Sequence, residues 1–368
     1  MSDIYNTDFI NRLSKGVNDL KHRWGMSDSA SVRLLTLSEN ATFLVEGNLL
    51  ENEASEDKSS EIKIIVRVHR PNYHSTQEIA SEIAWINALR QDSTIKIPAP
   101  LPLDDGSYIA SFVDEGHEDE GHENERQTRH LVAFEFMAGS EPSVDDSLTT
   151  GFEMLGKISA QLHGHASQWQ TPENFIRKSW TFETSFGDHP LWGDWRHALG
   201  LGTEDQVVLE TLCKKLENQL ALYGATPDRF GLVHADLRLA NLLVDQDSLS
   251  VIDFDDCGFS WFMYDFASAI SFYEDSPQIP DLITAWLKGY RTVRPLNQEH
   301  EAMMPTFILF RRLLLTAWIA THSETETAIE AGLEAYTKGT VRLAQQYLEG
   351  RYLTPDAQQA DASTEKTL

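Results

Sequence analysis

The sequence predicts an α+β fold of two lobes, with a smaller, mainly β N-terminal lobe and a larger, mainly helical C-terminal lobe. The chain has 368 residues, which is long for one domain and suits two lobes around a cleft. Short apolar runs typical of strands dominate its first part, and long segments with helical apolar spacing dominate its second. We therefore predict an N-terminal lobe over residues 1–137, a C-terminal lobe over 138–352 and a polar tail over 353–368.

The N-terminal lobe is predicted to begin with an amphipathic helix and to continue as a sheet. Residues 3–24 carry apolar side chains at helical spacing. Two strands, 32–37 and 42–46, follow and are joined by a turn. Residues 61–71 then alternate between polar and apolar side chains, as a strand with one buried face does. A helix with an apolar stripe is predicted over residues 76–90.

Two polar segments of the N-terminal lobe are predicted to be loops. Residues 51–61 are mostly polar and charged, and residues 114–125 are acidic and of low complexity. Because such compositions cannot bury enough apolar area, we expect a solvated hairpin loop and a disordered loop tip. Residues 131–139 read as a buried strand that runs into a flexible exit.

The C-terminal lobe is predicted from a series of helices. Their apolar residues recur at helical spacing in residues 152–166, 204–223, 265–272, 281–291, 299–321 and 325–348. The tract at 169–201 is irregular and rich in tryptophan. It either forms an aromatic wall on the substrate side or a satellite core, because aromatic cores and cation–π pockets look alike in sequence.

The charge and the hydropathy exclude two classes of partner. The formal net charge of −27 argues against nucleic acid, whose phosphates would be repelled. It would favour a cationic substrate such as an amino alcohol or an aminoglycoside, although solubility accounts for the same excess. The longest apolar segment, residues 307–320, is interrupted by two arginines and is too short to span a bilayer, so no membrane partner is expected.

Cysteine usage and the N-terminus indicate a cytoplasmic protein. Cys213 and Cys257 are too few for a disulfide framework, which favours a reducing compartment. The first residues lack the basic region and the apolar run of a signal peptide.

The stretch from Gly231 to Asp265 carries the densest set of candidate functional residues. It reads as an apolar strand, a polar turn, a short strand, a hairpin turn and a third strand ending in acid. Because such short strands cannot bury charge between them, Asp236, Asn241 and Asp253 are expected at one end of the hairpin, facing a cleft. Two carboxylates and an amide make a hard-oxygen site suited to Mg²⁺.

The spacing of these residues resembles that of a known group of enzymes. The pattern H-x-D-x-x-x-x-N at 234–241, followed by D-x-D at 253–255, is similar to the catalytic and metal loops of the aminoglycoside phosphotransferase / choline kinase superfamily. The resemblance implies a protein-kinase-like fold and transfer of the γ-phosphoryl group of ATP to a hydroxyl, with Mg²⁺. It also implies that Asp236 is the catalytic base and that Asn241 and Asp253 hold the metal.

The same resemblance gives three neighbouring residues structural roles in the active site. It implies that His234 supports the catalytic loop and that Asp265 is the buried carboxylate tying this loop to the following helix. Asp255 stands where protein kinases have glycine, and Ala235 stands where many relatives have glycine. Neither departure removes a functional side chain.

In the N-terminal lobe, the sequence VRVHRP at 66–71 is similar to a strand of homoserine-kinase-like and stress-response-kinase-like members of the superfamily. The match puts Arg67 at the position of the phosphate-binding lysine, with Glu82 as its partner. Arginine and lysine are not equivalent at such a site, and Lys63, on the same strand face, remains the alternative. The resemblance further implies that the turn containing Glu39 and Asn40 covers the phosphates.

Adenine recognition and the acceptor are less defined by the sequence. The resemblance implies that the Glu135 carbonyl and the Met137 amide bind adenine through the backbone. The expected acceptor is a small molecule, namely an amino alcohol or a homoserine-like or aminoglycoside-like compound. The first alternative is a Ser/Thr side chain of a protein, as in stress-response relatives.

A second alternative is a non-catalytic nucleotide-binding protein. The retention of Asp236, Asn241 and Asp253 argues against it, because a protein without activity has no need of all three. A metal-dependent hydrolase would require further His or Asp ligands at fixed spacing, which the sequence does not show.

Overall fold

The computed structural model describes residues 7–50, 61–116, 126–144, 147–246 and 248–354. Helices and strands are mixed as predicted, with strands concentrated before residue 136 and helices after residue 148. The chain divides into two compact units. The first comprises Met1–Ala138 with Thr171–Ile176, and the second comprises Gly139–Gln170 with Arg177–Leu368.

A six-stranded antiparallel sheet forms the centre of the first unit. Its strands are β1 (Ser31–Leu37), β2 (Ala41–Gly47), β3 (Ile62–Val68), β4 (Pro100–Leu101), β5 (Ala110–Asp114) and β6 (Gln127–Glu135). The order is β1-β2-β3-β6-β4, and β5 also pairs with β6. Arg67 on β3 therefore lies in the middle of the sheet, opposite Thr42 on one side and Val132 on the other.

The first helix, α1 (Thr7–Leu20), covers this sheet and continues as a 3₁₀ turn over Lys21–Trp24. The apolar core between them includes Leu13, Val17, Phe43, Val45, Val66 and Leu131. Burial of these side chains stabilises the unit by about 25 cal/mol per Å² of apolar surface removed from water. The α-helix ends at Leu20, before the predicted end at residue 24, because the last four residues form the tighter 3₁₀ turn. Residues 3–6 of the predicted helix lie outside the described part.

The acidic loop starts later than the predicted residue 114. Asp114 is the last residue of β5, is buried, and forms ion pairs with Arg12 at 2.8 Å and Arg129 at 3.2 Å. A charge is buried here because two cations compensate it. Residues 117–125, and the other predicted loop at 51–60, lie outside the described residues.

The helix that follows β3 is α2 (Thr76–Asp92). It begins at a capping box, in which Ser75 accepts from the Glu78 amide and the Glu78 carboxylate accepts from the Ser75 amide. Segment 171–176 packs on this helix, since Gln77 Nε2 donates to Asn174 O at 2.5 Å. The predicted boundaries placed that segment in the C-terminal lobe.

The second unit is mainly helical. Its helices are α3 (Thr149–Ala166), α4 (Phe182–Phe186), α5 (Thr203–Tyr223), α6 (Tyr264–Ala269), α7 (Ile279–Arg291), α8 (Gln298–Ala302), α9 (Met304–Thr321), α10 (Glu326–Ala331) and α11 (Leu333–Leu348). Helices α3 and α7 pack unusually closely because glycines line their contact. A Cβ on Gly156 would lie 2.0 Å from Trp286 O, and one on Gly289 would lie 1.8 Å from Glu153 O.

Helix α9 forms the centre of the second unit. Together with α8 it makes a helical stretch, Gln298–Thr321, that is longer than the predicted apolar segment 307–320 and would be long and apolar enough to cross a membrane by length and composition alone. Of the most apolar 18 residues of this stretch, 83% are buried inside the protein, as in a core helix. The predicted helix over 325–348 is broken at Gly332, whose φ of 85° is left-handed.

Two small antiparallel sheets carry the predicted functional stretch. β8 (Leu242–Asp245) pairs with β9 (Ser248–Val251), as the hairpin prediction requires. β7 (Phe230–Val233) pairs with β10 (Gly258–Trp261), a strand that the sequence did not indicate. In the tryptophan-rich tract, Trp180, Trp192 and Trp195 are buried, which favours the satellite core over an exposed aromatic wall.

Candidate active site

The carboxylate of Asp236 is held on both oxygens. Asp236 Oδ1 accepts from Arg311 Nη2 at 2.6 Å, and Oδ2 accepts from Asn241 Nδ2 at 2.7 Å. Arg238 Nε lies 3.4 Å from Oδ2. The Asp236 side chain keeps 15% of its surface exposed. The result is a fixed carboxylate that still reaches the surface of the second unit.

The backbone just before Asp236 is held by the buried Asp265 on α6. Asp265 Oδ1 accepts from the Ala235 amide at 2.8 Å, and Oδ2 accepts from the His234 amide at 3.3 Å and from His163 Nε2 at 2.9 Å. Ala235 has a left-handed φ of 68°, which is unfavourable for alanine. The hydrogen bonds from Asp265 hold this strained residue in place, and a glycine would adopt the same conformation without strain.

His234 connects the Asp236 loop to the residue before Asp253. Its buried ring donates through Nε2 to Ile252 O at 3.1 Å, and its Nδ1 accepts from the Asp236 amide at 3.3 Å. The Ile252 amide in turn donates to Asn241 O at 3.0 Å. Asp253 therefore directly follows Ile252, whose backbone is hydrogen-bonded to both His234 and Asn241. The structure thus brings these predicted residues close to Asp236.

Two oxygens of this cluster suit a divalent metal. Asn241 Nδ2 is used by the backbone carbonyl and the carboxylate of Asp236, which orients the amide oxygen away from that residue. Asp253 is exposed and has a left-handed φ of 60°. An amide oxygen and a carboxylate are the hard donors that Mg²⁺ takes, with water and phosphate completing its shell. Among the described residues there is no group of three His, Cys, Asp or Glu that could hold a metal alone.

Asp255 lies in the turn after Asp253 and is buried. Its amide faces Asp253 Oδ1 at 3.4 Å, and its carbonyl accepts from Arg177. We call residues 253–257 the metal loop, after the predicted role of Asp253. The contact of Arg177 with this loop has no counterpart in the sequence analysis, because no local pattern around Arg177 indicates it.

Arg311 on α9 is the second residue that the sequence analysis did not assign to the site. It is 2% exposed and also donates to Tyr264 OH at 2.9 Å, Ser271 Oγ at 3.1 Å and Ala235 O at 3.3 Å. Burial by itself lowers the pKa of Arg311, but Tyr264 and the charge of Asp236 outweigh it and raise the pKa above its usual value. Burial also raises the pKa of Tyr264 to about 12. In the sequence, the placement of Arg311 and Arg312 inside an apolar helix was the one indication that Arg311 has a special role.

In the first unit, Arg67 is paired with Glu82. Arg67 Nη2 lies 2.6 Å from both carboxylate oxygens of Glu82, and the two residues are 5% and 0% exposed. Lys63 pairs instead with Glu46 at 2.7 Å and keeps 44% of its side chain exposed. The geometry thus identifies Arg67, rather than Lys63, as the fixed cation of β3.

The remaining candidate residues of the first unit lie at a turn and at a strand end. Glu39 Oε1 is 3.2 Å from Arg70 Nη1, and Asn40 Oδ1 accepts from the Arg70 amide at 3.0 Å, so the turn is tied to the end of β3. Strand β6 ends at Glu135, whose amide donates to Ala99 O at 2.8 Å. Met137 follows, half-buried, beyond the strand.

Comparison with known proteins decides the family. A model described as the phosphotransferase enzyme family (APH) matches residues 39–296, which include Asp236, Asn241 and Asp253. The chain belongs to this family. The predicted resemblance to aminoglycoside phosphotransferases and choline kinases is thereby confirmed, and the chain is a phosphotransferase. Arg311 lies outside the matched residues.

Solved structures and sequence relatives agree with this assignment. The microcompartment-associated aminopropanol kinase is 40% identical with a TM-score of 0.78, over 92% of this chain and 99% of that chain. An amicoumacin kinase in complex with AMP-PNP and Ca²⁺ is 20% identical with a TM-score of 0.70, over 95% and 98% of the two chains. The homoserine kinase of Gluconobacter oxydans (strain 621H) is 31% identical over 67% of this phosphotransferase and 74% of its own length. The predicted protein-kinase-like fold is confirmed.

Proposed function

We propose that this phosphotransferase is an ATP- and Mg²⁺-dependent kinase that transfers the γ-phosphoryl group to the hydroxyl of a small amino alcohol. The observation that carries the proposal is the Asp236 carboxylate, held by Arg311 and Asn241 and still partly exposed. Phosphoryl transfer needs a positioned carboxylate beside metal-binding oxygens, because most of its catalysis is positioning and charge neutralisation.

In the second unit, the contacts of each residue support a proposed role. Asp236 orients the acceptor hydroxyl and accepts its proton. Asn241, through its amide oxygen, and Asp253 hold Mg²⁺, which when bound neutralises the charge of the phosphates. His234 and Asp265 keep the backbone of the loop in shape through the hydrogen bonds described above.

In the first unit, the proposed roles concern the nucleotide. Arg67, fixed by Glu82, presents its charge to the α- and β-phosphates, and the turn with Glu39 and Asn40 covers them. The Glu135 carbonyl and the Met137 amide bind adenine. Support comes from the family and from the amicoumacin kinase structure, which contains an ATP analogue and a divalent metal ion.

Two observations support an amino alcohol as the acceptor. The aminopropanol kinase and the homoserine kinase that resemble this chain are named after compounds that carry both a hydroxyl and an amino group. The net charge of −27 attracts a cationic amino alcohol such as aminopropanol and repels anionic acceptors. Both cysteines are free and buried, in keeping with the cytoplasm as the proposed compartment.

The test is ATP consumption by the full chain with a panel of acceptors. The panel contains aminopropanol, homoserine, an aminoglycoside, a propanol without the amine, and a protein substrate. We expect turnover with aminopropanol, weak or no turnover with the amine-free alcohol, and no turnover by Asp236→Asn. Turnover only with the protein substrate would establish the protein-kinase alternative, and equal turnover with and without the amine would overturn the amino-alcohol assignment.

A further inference from the structure

The metal loop is held by side chains from a distant part of the chain. This loop, residues 253–257, lies between β9 and β10 and belongs to neither strand. Its backbone begins with the left-handed Asp253 and is buried at Asp255 and Cys257, which are 5% and 0% exposed. Buried carbonyls need donors, so the loop depends on whichever groups supply them.

Two side chains donate to three successive carbonyls of the metal loop. Arg177 Nε donates to Cys257 O at 2.6 Å, and Arg177 Nη2 donates to Asp255 O. Trp180 Nε1 donates to Asp256 O at 2.8 Å. Arg177 and Trp180 are themselves 6% and 1% exposed, so these bonds are shielded from water.

The segment that carries these donors is itself fixed against β10. The Trp180 amide donates to Phe259 O at 2.8 Å, and the Phe259 amide donates to Lys178 O at 2.9 Å. Ser260 Oγ donates to Trp180 O at 2.9 Å. A Cβ on Gly258 would lie 2.4 Å from Lys178 O, so glycine is what allows the two backbones to approach. The donors therefore stand on a rigid support.

We propose that Arg177 is a positioning residue for the metal: by holding the carbonyls of Asp255 and Cys257, it keeps the Asp253 carboxylate in its metal-binding orientation. The inference rests on the proposed function, because Asp253 is the proposed ligand. The guanidinium suits this task, since its planar donors reach two carbonyls at once, which the single ammonium of a lysine cannot do in the same geometry.

The test is calorimetric titration of Mg²⁺ into the full-length protein saturated with a non-hydrolysable ATP analogue, which requires no acceptor. Groups that orient a metal ligand typically contribute about 10–100-fold to metal affinity. We expect Arg177→Met and Arg177→Lys to weaken Mg²⁺ binding by about that factor, with Trp180→Phe, which removes one donor, between them and the wild type. In a turnover assay these variants should lose activity at low Mg²⁺ and regain it at high Mg²⁺.

The control is Arg196→Met, in the same tract, where the arginine is more exposed, pairs with Asp194 at 3.2 Å and stacks on Trp195. It should leave Mg²⁺ affinity unchanged. Circular dichroism and melting temperature identify variants that are not folded, and Trp180→Phe then serves in their place. Unchanged Mg²⁺ affinity in folded Arg177 variants, with only the melting temperature lowered, would overturn the inference.

Asp253→Asn in the same titration separates the two proposals. If Asp253→Asn weakens Mg²⁺ binding and the Arg177 and Trp180 variants do not, the positioning role is wrong and the proposed metal site stands. If Asp253→Asn itself has no effect on Mg²⁺ affinity, the proposed function is wrong at its metal site.

Discussion

Arg311 Nη2 lies 2.6 Å from Asp236 Oδ1, so the proposed catalytic base is ion-paired with a buried cation from helix α9. Arg311 is anchored by Tyr264, Ser271 and the Ala235 carbonyl, and it cannot turn away without losing several hydrogen bonds. The carboxylate is thus oriented before the acceptor arrives. Such orientation lowers the barrier because the reacting groups do not have to be aligned at the moment of reaction.

Arg311→Met is expected to lower both stability and turnover. Breaking a buried ion pair costs about 3–5 kcal/mol, and the partial exposure of Asp236 places this pair toward the lower end. Misplacement of the base should reduce kcat by about 10²-fold in the protein that remains folded. Urea unfolding and kcat per folded molecule measure the two effects.

The neighbouring arginine provides the control for this variant. Arg312 is equally buried but pairs with Glu274 and donates to Thr340. Arg312→Met should destabilise the protein to a similar degree and leave kcat per folded molecule unchanged. Equal losses of kcat in the two variants would show that Arg311 acts only through stability.

Asp236→Asn is expected to abolish phosphoryl transfer and to leave Mg·ATP binding nearly unchanged. The amide has nearly the same shape, and its oxygen can still accept from Arg311. Asn241 loses its bond to Oδ2 but keeps the bond to the Asp236 backbone carbonyl, which still orients it. The amide cannot accept the proton of the acceptor. Loss of a general base typically costs about 10²–10⁴ in rate. Turnover and a nucleotide titration are compared on one preparation. A parallel loss of binding would make Asp236 a metal ligand instead.

Arg67→Ala is expected to weaken Mg·ATP binding and to destabilise the first unit. The variant removes the phosphate-facing charge and leaves Glu82, which is fully buried, without its cation. Lys63→Ala is the control, because Lys63 is exposed and pairs with Glu46. The thermal shift with millimolar Mg·ATP reports the binding. A silent Arg67→Ala beside a defective Lys63→Ala would reverse the assignment.

Removal of residues 117–125 is expected to leave the melting temperature and nucleotide binding intact, because their composition cannot support a core. Asp114→Ala should behave in the opposite way, since it leaves Arg129 buried and without its carboxylate. Burial already lowers the pKa of Arg129, which the charge of Asp114 partly offsets. A loss of ATP affinity on the deletion would assign the acidic segment a functional role.

Stability is expected to fall as the pH drops below about 6.5, partly through His163. Complete burial lowers the pKa of His163 below its usual value, although Asp265 partly opposes this. Below the pKa of the unfolded state, the folded protein therefore binds fewer protons at His163 than the unfolded chain does, and acid favours unfolding. Above that pKa, His163 is neutral in both states and does not affect the pH dependence of stability. One such group gives a slope of up to about 1.4 kcal/mol per pH unit. His163→Gln should show a shallower dependence in urea unfolding between pH 5 and 7; an unchanged slope would contradict the assignment.

The parts of the site that the sequence predicted are those set by local chain geometry. Asp236 and Asn241 are five residues apart, and their contact follows from one turn of backbone. The pairing of Arg67 with Glu82 links a strand to the next helix, an arrangement that a family resemblance can supply. The functional roles of these residues remain predictions that the experiments above address.

The contacts that escaped prediction span long distances in the chain. Arg311 and Asp236 are 75 residues apart, and Arg177 and Asp255 are 78 apart. Such contacts depend on how helices pack, which periodicity does not specify. Strand β10 was missed for a similar reason, because its four residues, Gly258–Trp261, are defined by pairing with β7 rather than by alternation.

The hydrogen bonds from Asp265 to the amides of His234 and Ala235 have an entropic consequence. Fixing the backbone of one residue costs about 1–2 kcal/mol of conformational entropy. Because a buried carboxylate of the protein itself fixes these residues, that loss is incurred once, when the chain folds. A small acceptor offers few contacts, and none of its binding free energy is then consumed in ordering the loop that carries Asp236.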